Sequence, residues 1–142
     1  MVEKLIDQIG GEAALRALVE RFYDIVEETD TGAQIVKLHK RGHGMGHART
    51  EQFNFLSGFM GGRNYYLEKH GHMDVKVMHE HVPITQQDAE NWLECMDQAL
   101  AELQLTGVHI ERLQRVFRRV ALLLVNNLED WGEKQATANL PG

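Results

Sequence analysis

Apolar residues recur at intervals of three and four in four separate stretches of this chain, and only two prolines, Pro83 and Pro141, stand anywhere to break a helix. The first stretch carries Leu15, Leu18, Val19, Phe22, Ile25 and Val26, which predicts a helix over about residues 12–28. The second resumes near His47 with Phe53, Leu56 and Met60 and stops at Gly61-Gly62. Thr85-Gln86-Gln87-Asp88 reads as a capped helix start, and Trp92, Leu93, Met96, Leu100 and Leu103 follow on one side. The last helix is expected from about His109 to Leu128, with Leu113, Val116, Phe117, Val120, Leu124 and Leu128 turned inward. No stretch alternates as a strand does, so the chain reads as all-α and as one domain over residues 1–142, polar from about 129 onward.

What separates these helices matters as much. Gln34–His39 forms at most a short helix after the Thr29–Gly32 turn, and three glycines in Lys40–Gly46 argue against helix there. Between the second and third helices lie about 25 weakly helical residues, more than a plain bundle spends on a connection. Residues 63–74 read as a loop with one short helical piece, and His79 sits in another short segment that Pro83 ends. Such a middle leaves room in the core for something other than side chains, and a cofactor is one candidate.

Composition narrows the function classes. The net charge of -6 opposes unspecific nucleic-acid binding, which needs a basic surface to displace phosphate counterions. No apolar run approaches the length of a membrane span, and the opening residues MVEKLIDQIGGEAAL lack the apolar core of a secretory signal. A single cysteine, Cys95, rules out an internal disulfide, reads as a buried small hydrophobe and fits a cytoplasmic setting. The eight histidines are the outlier and make a metal or metal-bearing cofactor worth seeking.

Three groups of residues are candidates for that chemistry. His39, His43 and His47 recur every four residues and on a helix would share a face fit for zinc or nickel, but interleaved glycines favour a loop with solvated imidazoles. His79 and His81 precede Pro83 in a short segment, where one restrained imidazole suits an axial metal ligand; the plainer reading is a satisfied core or surface histidine. Tyr23, Gln52 and Trp92 offer a phenol, an amide and an indole N–H, donors that serve a ligand only if the fold gathers them. No phosphate loop or nucleophile elbow is present.

The order Ile9-Gly10-Gly11, Arg21-Phe22-Tyr23 and Phe55-Leu56-Ser57-Gly58-Phe59-Met60-Gly61-Gly62 resembles the truncated haemoglobins. The continuation Tyr66-Leu67-Glu68-Lys69-His70-Gly71-His72, His79, Pro83-Ile84 and Trp92-Leu93-Glu94-Cys95-Met96-Asp97 is similar to their group II branch, and the likeness runs over roughly residues 5–128. The resemblance implies a two-over-two helical sandwich around haem b, in which helices near 12–28 and 47–60 face those near 85–104 and 109–128. It implies a five-coordinate iron with His79 as its proximal ligand, and His81 as the rival assignment. Tyr23 matches the distal tyrosine and Trp92 the characteristic tryptophan. His39 matches a position over the haem edge, and Ala48 and Gln52 match the two distal-helix positions nearest the ligand. Phe55 joins the haem contacts.

The family usually carries arginines just before the proximal histidine, whereas this chain has Asp74-Val75-Lys76-Val77-Met78, and Glu51 stands where a cation is common. The haem propionates therefore fall to Lys76, with Arg49, Lys69, Tyr66 and His72 as further candidates. The resemblance implies binding of dioxygen, nitric oxide or other diatomic ligands, in oxygen transport, storage or sensing. Conversion of nitric oxide to nitrate with an outside reductase is the enzymatic extension, and a peroxidase-like enzyme is the alternative; a haem-free helical interaction module is the third reading. The histidine-rich stretch adds one expectation: His39, His43 or His47 ligates iron in the unliganded state.

Overall fold

The computed structural model describes residues 4–41, 44–80 and 82–126. Those residues form eight helices and, among them, no strand: α1 (Leu5–Ile9), α2 (Glu12–Glu28), α3 (Ala33–Arg41), α4 (Met45–Phe59), α5 (Tyr65–His70), α6 (Val75–Met78), α7 (Gln86–Glu102) and α8 (Val108–Leu123). His43, His81 and Leu128, with the polar tail, lie outside the described residues.

The long helices follow the expected apolar spacing. In α2, Leu15, Leu18, Val19, Phe22, Ile25 and Val26 are all buried, with Tyr23 beside them. The cap of α7 is the one its sequence announces: Thr85 Oγ accepts from the Asp88 N–H at 3.0 Å, and the Asp88 carboxylate accepts from the Thr85 N–H at 2.9 Å. This reciprocal box satisfies two backbone donors that a helix start leaves orphaned. One short helix, α1, had no counterpart in the sequence reading. The Lys40–Gly46 break is also narrower than expected, because α3 runs to Arg41 and α4 starts at Met45 and includes Gly46. Gly44, at φ 89°, takes the left-handed turn between them. Leu103, expected inside, is the C-cap of α7 and stands exposed. On α8 only Ile110, Leu113 and Phe117 are buried, whereas Val116, Val120 and Leu124 are half-covered.

Helix α2 is the hub. It packs on α4 to one side and α7 to the other, and α8 packs on α7. The α2–α3 turn brings the chain so close to itself that a Cβ on Gly32 would strike the Val26 backbone. That tightness holds α3 against α2, α4 and α7 at once, with Ile35 in the core. Two bidentate surface pairs, Arg21–Glu102 and Arg118–Glu90, join α2 to α7 and α7 to α8, though exposed pairs add little energy. No helix among the described residues is long and apolar enough to cross a membrane.

Candidate functional site

Phe22 lies fully buried at the middle of α2 and meets a ring on either side. Tyr23 packs edge-on at 4.8 Å between centroids and Trp92 of α7 at 5.1 Å. From this centre the ring contacts continue in both directions. Trp92 meets Phe117 at 5.4 Å, Phe117 stacks on Phe59 at 6.2 Å, Phe59 on Phe55 at 5.9 Å, and Phe55 meets Tyr66 at 5.7 Å. At the other end Tyr23 meets the His39 ring edge-on at 5.9 Å. The outcome is an unbroken aromatic arc drawn from α2, α3, α4, α5, α7 and α8. Its inner members are not all sealed: Phe59 is 36% exposed, and Phe55 and Trp92 are half-buried. Large rings left partly uncovered in this way form an apolar surface open to an occupant.

Tyr23, Gln52, Trp92 and His39, scattered over four helices, are brought to this arc. Tyr23 is 2% exposed, and its hydroxyl donates a long hydrogen bond of 3.4 Å to Gln52 Oε1. Burial pushes its phenol well above the ordinary range, against a smaller downward pull from Arg49, so it stays a neutral donor. Ala48 precedes Gln52 by one turn of α4 and Phe55 follows, so the three share a face. Among the described residues no acceptor meets the Trp92 indole N–H.

His79 and His39 are held in the same way. His79 caps the C-terminus of α6, and its Nδ1 lies 2.7 Å from the Val75 carbonyl oxygen, four residues back. His39 lies near the end of α3 with Nδ1 2.7 Å from the Ile35 carbonyl, again four residues back. A carbonyl only accepts, so Nδ1 carries the proton in each ring and Nε2 keeps its lone pair. That tautomer is the one a metal-ligating imidazole needs. For His39, burial lowers the pKa, the Ile35 bond opposes it, and the nearby charge of His79 lowers it further.

Two residues that sequence reasoning did not single out hold the His79 segment. Asp74 Oδ1 accepts from the Lys76 and Val77 N–H groups at 2.9 and 3.2 Å, starting the single turn of α6. An aspartate before a short apolar run is a legible cap signal. Asn126, past the end of α8, donates from Nδ2 to the Val82 carbonyl at 2.9 Å and from its backbone N–H to the Ile84 carbonyl at 2.9 Å. Its Oδ1 accepts from the Ile84 N–H at 3.4 Å. Nothing local in the sequence announces a clamp that closes over more than forty residues.

The proposed cations fall in different places. The Arg49 side chain, 17% exposed, binds Glu20, Asp24 and Glu27 of α2 at 2.7, 3.0 and 2.6 Å, so its guanidinium is committed there. Lys69 and His70 both reach Glu51, at 2.7 and 2.6 Å. Tyr66, buried at the end of the arc, stacks on His70 at 4.3 Å and meets His72 at 5.9 Å. Lys76 is exposed on α6. His47 is exposed on α4, and among the described residues no three histidines, cysteines or acidic residues stand together as a metal-ion site.

The chain is similar to known proteins over nearly its whole described length. The family model for bacterial-like globins matches residues 4–126. A group 2 truncated hemoglobin of Bacillus subtilis (strain 168) is 31% identical over 119 residues, 84% of this chain and 86% of that one. The crystal structure of the group II truncated hemoglobin from Bacillus anthracis superposes with a TM-score of 0.80 at 29% identity, covering 94% of this chain and 98% of that one. The structure of the truncated oxygen-avid haemoglobin from Bacillus subtilis gives a TM-score of 0.76 at 30% identity, covering 87% and 100%.

Proposed function

Because the chain belongs to the group II truncated haemoglobins, within the bacterial-like globin family, we propose that it carries haem b on His79 and binds dioxygen and other diatomic ligands beneath Tyr23, Gln52 and Trp92. The observation that carries this reading is the His79 lock: Nδ1–H on the Val75 carbonyl leaves Nε2 as a lone-pair donor, in a chain whose partly uncovered aromatic arc runs from His39 to Tyr66. Ferrous haem supplies reversible diatomic binding, and the protein's part is to hold, orient and shield.

Each residue then has a physical task. Phe55, Phe59, Phe117 and Trp92 offer apolar ring faces to the macrocycle and exclude water. Tyr23 O–H and Trp92 N–H are the donors for negative charge that builds on a bound ligand; without one the Tyr23 proton goes to Gln52 Oε1 over a long 3.4 Å, a bond weak enough to give up to the ligand. Ala48 leaves space on the distal helix. For the propionates we assign Lys76, Tyr66 and His72, since Arg49 and Lys69 are already engaged with Glu20, Asp24, Glu27 and Glu51.

The test is spectroscopic. Purified protein should show a Soret band, and His79→Ala should lose it and recover it in added imidazole. Unchanged haem content and spectrum in His79→Ala would remove His79 from the role. A donor-lined pocket of this kind also suits conversion of nitric oxide and dioxygen to nitrate, with a partner reductase returning the electron. Rapid mixing of the oxygenated protein with nitric oxide, set against turnover of hydrogen peroxide, separates that activity from peroxidase chemistry.

A further inference from the structure

We propose that His39 is a second iron ligand, its Nε2 closing the distal position whenever no diatomic ligand is bound. This rests on the haem reading above and adds to it. The His39 ring is prepared just as the His79 ring is, by a 2.7 Å bond from Nδ1 to the carbonyl four residues back, which fixes the tautomer with a free Nε2 lone pair. Its ring sits edge-on to Tyr23, on the side where the distal donors gather.

The other distal groups are poorer ligands. Tyr23 would have to ionise, and its burial opposes that. The Trp92 indole nitrogen has no lone pair to give, and a neutral amide such as Gln52 is a weak donor to iron. His47 points from the exposed side of α4. The consequence is competition: an incoming ligand must displace an internal imidazole, which sets a ceiling on the rate of capture.

The experiment compares holoprotein of the parent with His39→Phe, which keeps the aromatic edge against Tyr23 but has no lone pair, and with His39→Ala, His43→Ala and His47→Ala. Ferrous, ligand-free parent should show the paired visible bands of six-coordinate low-spin haem, and carbon monoxide binding should saturate with concentration. Both His39 variants should lose the low-spin bands and the saturation, at unchanged haem content. Five-coordinate high-spin ferrous haem in the parent would overturn the proposal. So would low-spin bands that survive in both His39 variants, or that vanish in His43→Ala or His47→Ala instead. A parent with no Soret band at all would overturn the haem reading itself, and this proposal with it.

Discussion

At the scale of single residues, the arrangement turns on where protons sit. Tyr23 is a donor because burial keeps its phenol neutral, and its partner Gln52 at 3.4 Å holds it loosely enough to turn toward a ligand. Tyr23→Phe keeps the ring contacts with Phe22 and His39 and removes only the O–H. A hydrogen bond to a charge-bearing acceptor contributes about 1.5–3 kcal/mol, so dioxygen should leave the variant roughly ten- to a hundredfold faster, read by stopped-flow dissociation. An unchanged rate would take Tyr23 out of the distal network. The residue types at positions 23, 39, 52, 79 and 92 were legible in the sequence because phenol, imidazole, amide and indole are chemically distinctive. The tautomers of His39 and His79 were not, since they depend on which carbonyl each ring meets.

At the scale of elements, the decisive piece is the shortest one. Helix α6 has four residues, far fewer than an isolated helix needs, and it depends on Asp74 at its start and on what restrains the chain after His79. Asn126 supplies that restraint by tying the end of α8 to Val82 and Ile84. Asn126→Ala should cost about 1–3 kcal/mol in thermal or denaturant unfolding, the range for leaving backbone partners unsatisfied. It should also broaden or shift the iron–histidine stretching band and speed haem loss to an acceptor protein. Loss of stability with an unaltered band would reduce Asn126 to a structural tie. The long helices α2 and α7 were read from periodicity almost to the residue, because their apolar stripes and the Thr85 box are local signals. Helix α1 escaped that reading, since five residues hold too little periodicity to register. The extent of α3 and α4 escaped it too, because glycine's intrinsic cost is outweighed once α3 packs on α2, α4 and α7.

At the scale of the whole molecule, the carboxylates set the response to acid. Burial pushes the Glu51 carboxyl up, but hydrogen bonds from Lys69 and His70 outweigh it and hold it below the ordinary range. Glu68, Glu90 and Glu102 are held low by Arg63, Arg118 and Arg21. A carboxyl held low in the folded state stabilises it above the unfolded pKa of about 4.3, and that stability disappears as pH falls further. The melting temperature should therefore drop from pH 5 toward pH 3 in circular dichroism, and Glu51→Gln should shrink the drop. An equal drop in that variant would shift the cause to other carboxylates. Removal of haem should lower the melting temperature at any pH, because a ligand bound only by the folded state stabilises it by mass action. Equal melting of apo- and holoprotein would contradict a haem seated in the core.

What the sequence determined by itself was the all-α class, the four long helices, the loose middle between the second and third, and the chemical types at positions 23, 39, 52, 79 and 92. Those follow from period, caps, glycines and residue identity, which act within a few turns of the chain. Only the tertiary structure decided that six helices contribute one aromatic arc and that Arg49 spends its charge on three α2 carboxylates. It alone closed Asn126 over the segment after His79 and set His39 beside Tyr23. These are contacts between residues tens of positions apart, and the packing of α2 against α4 and α7 brings them together.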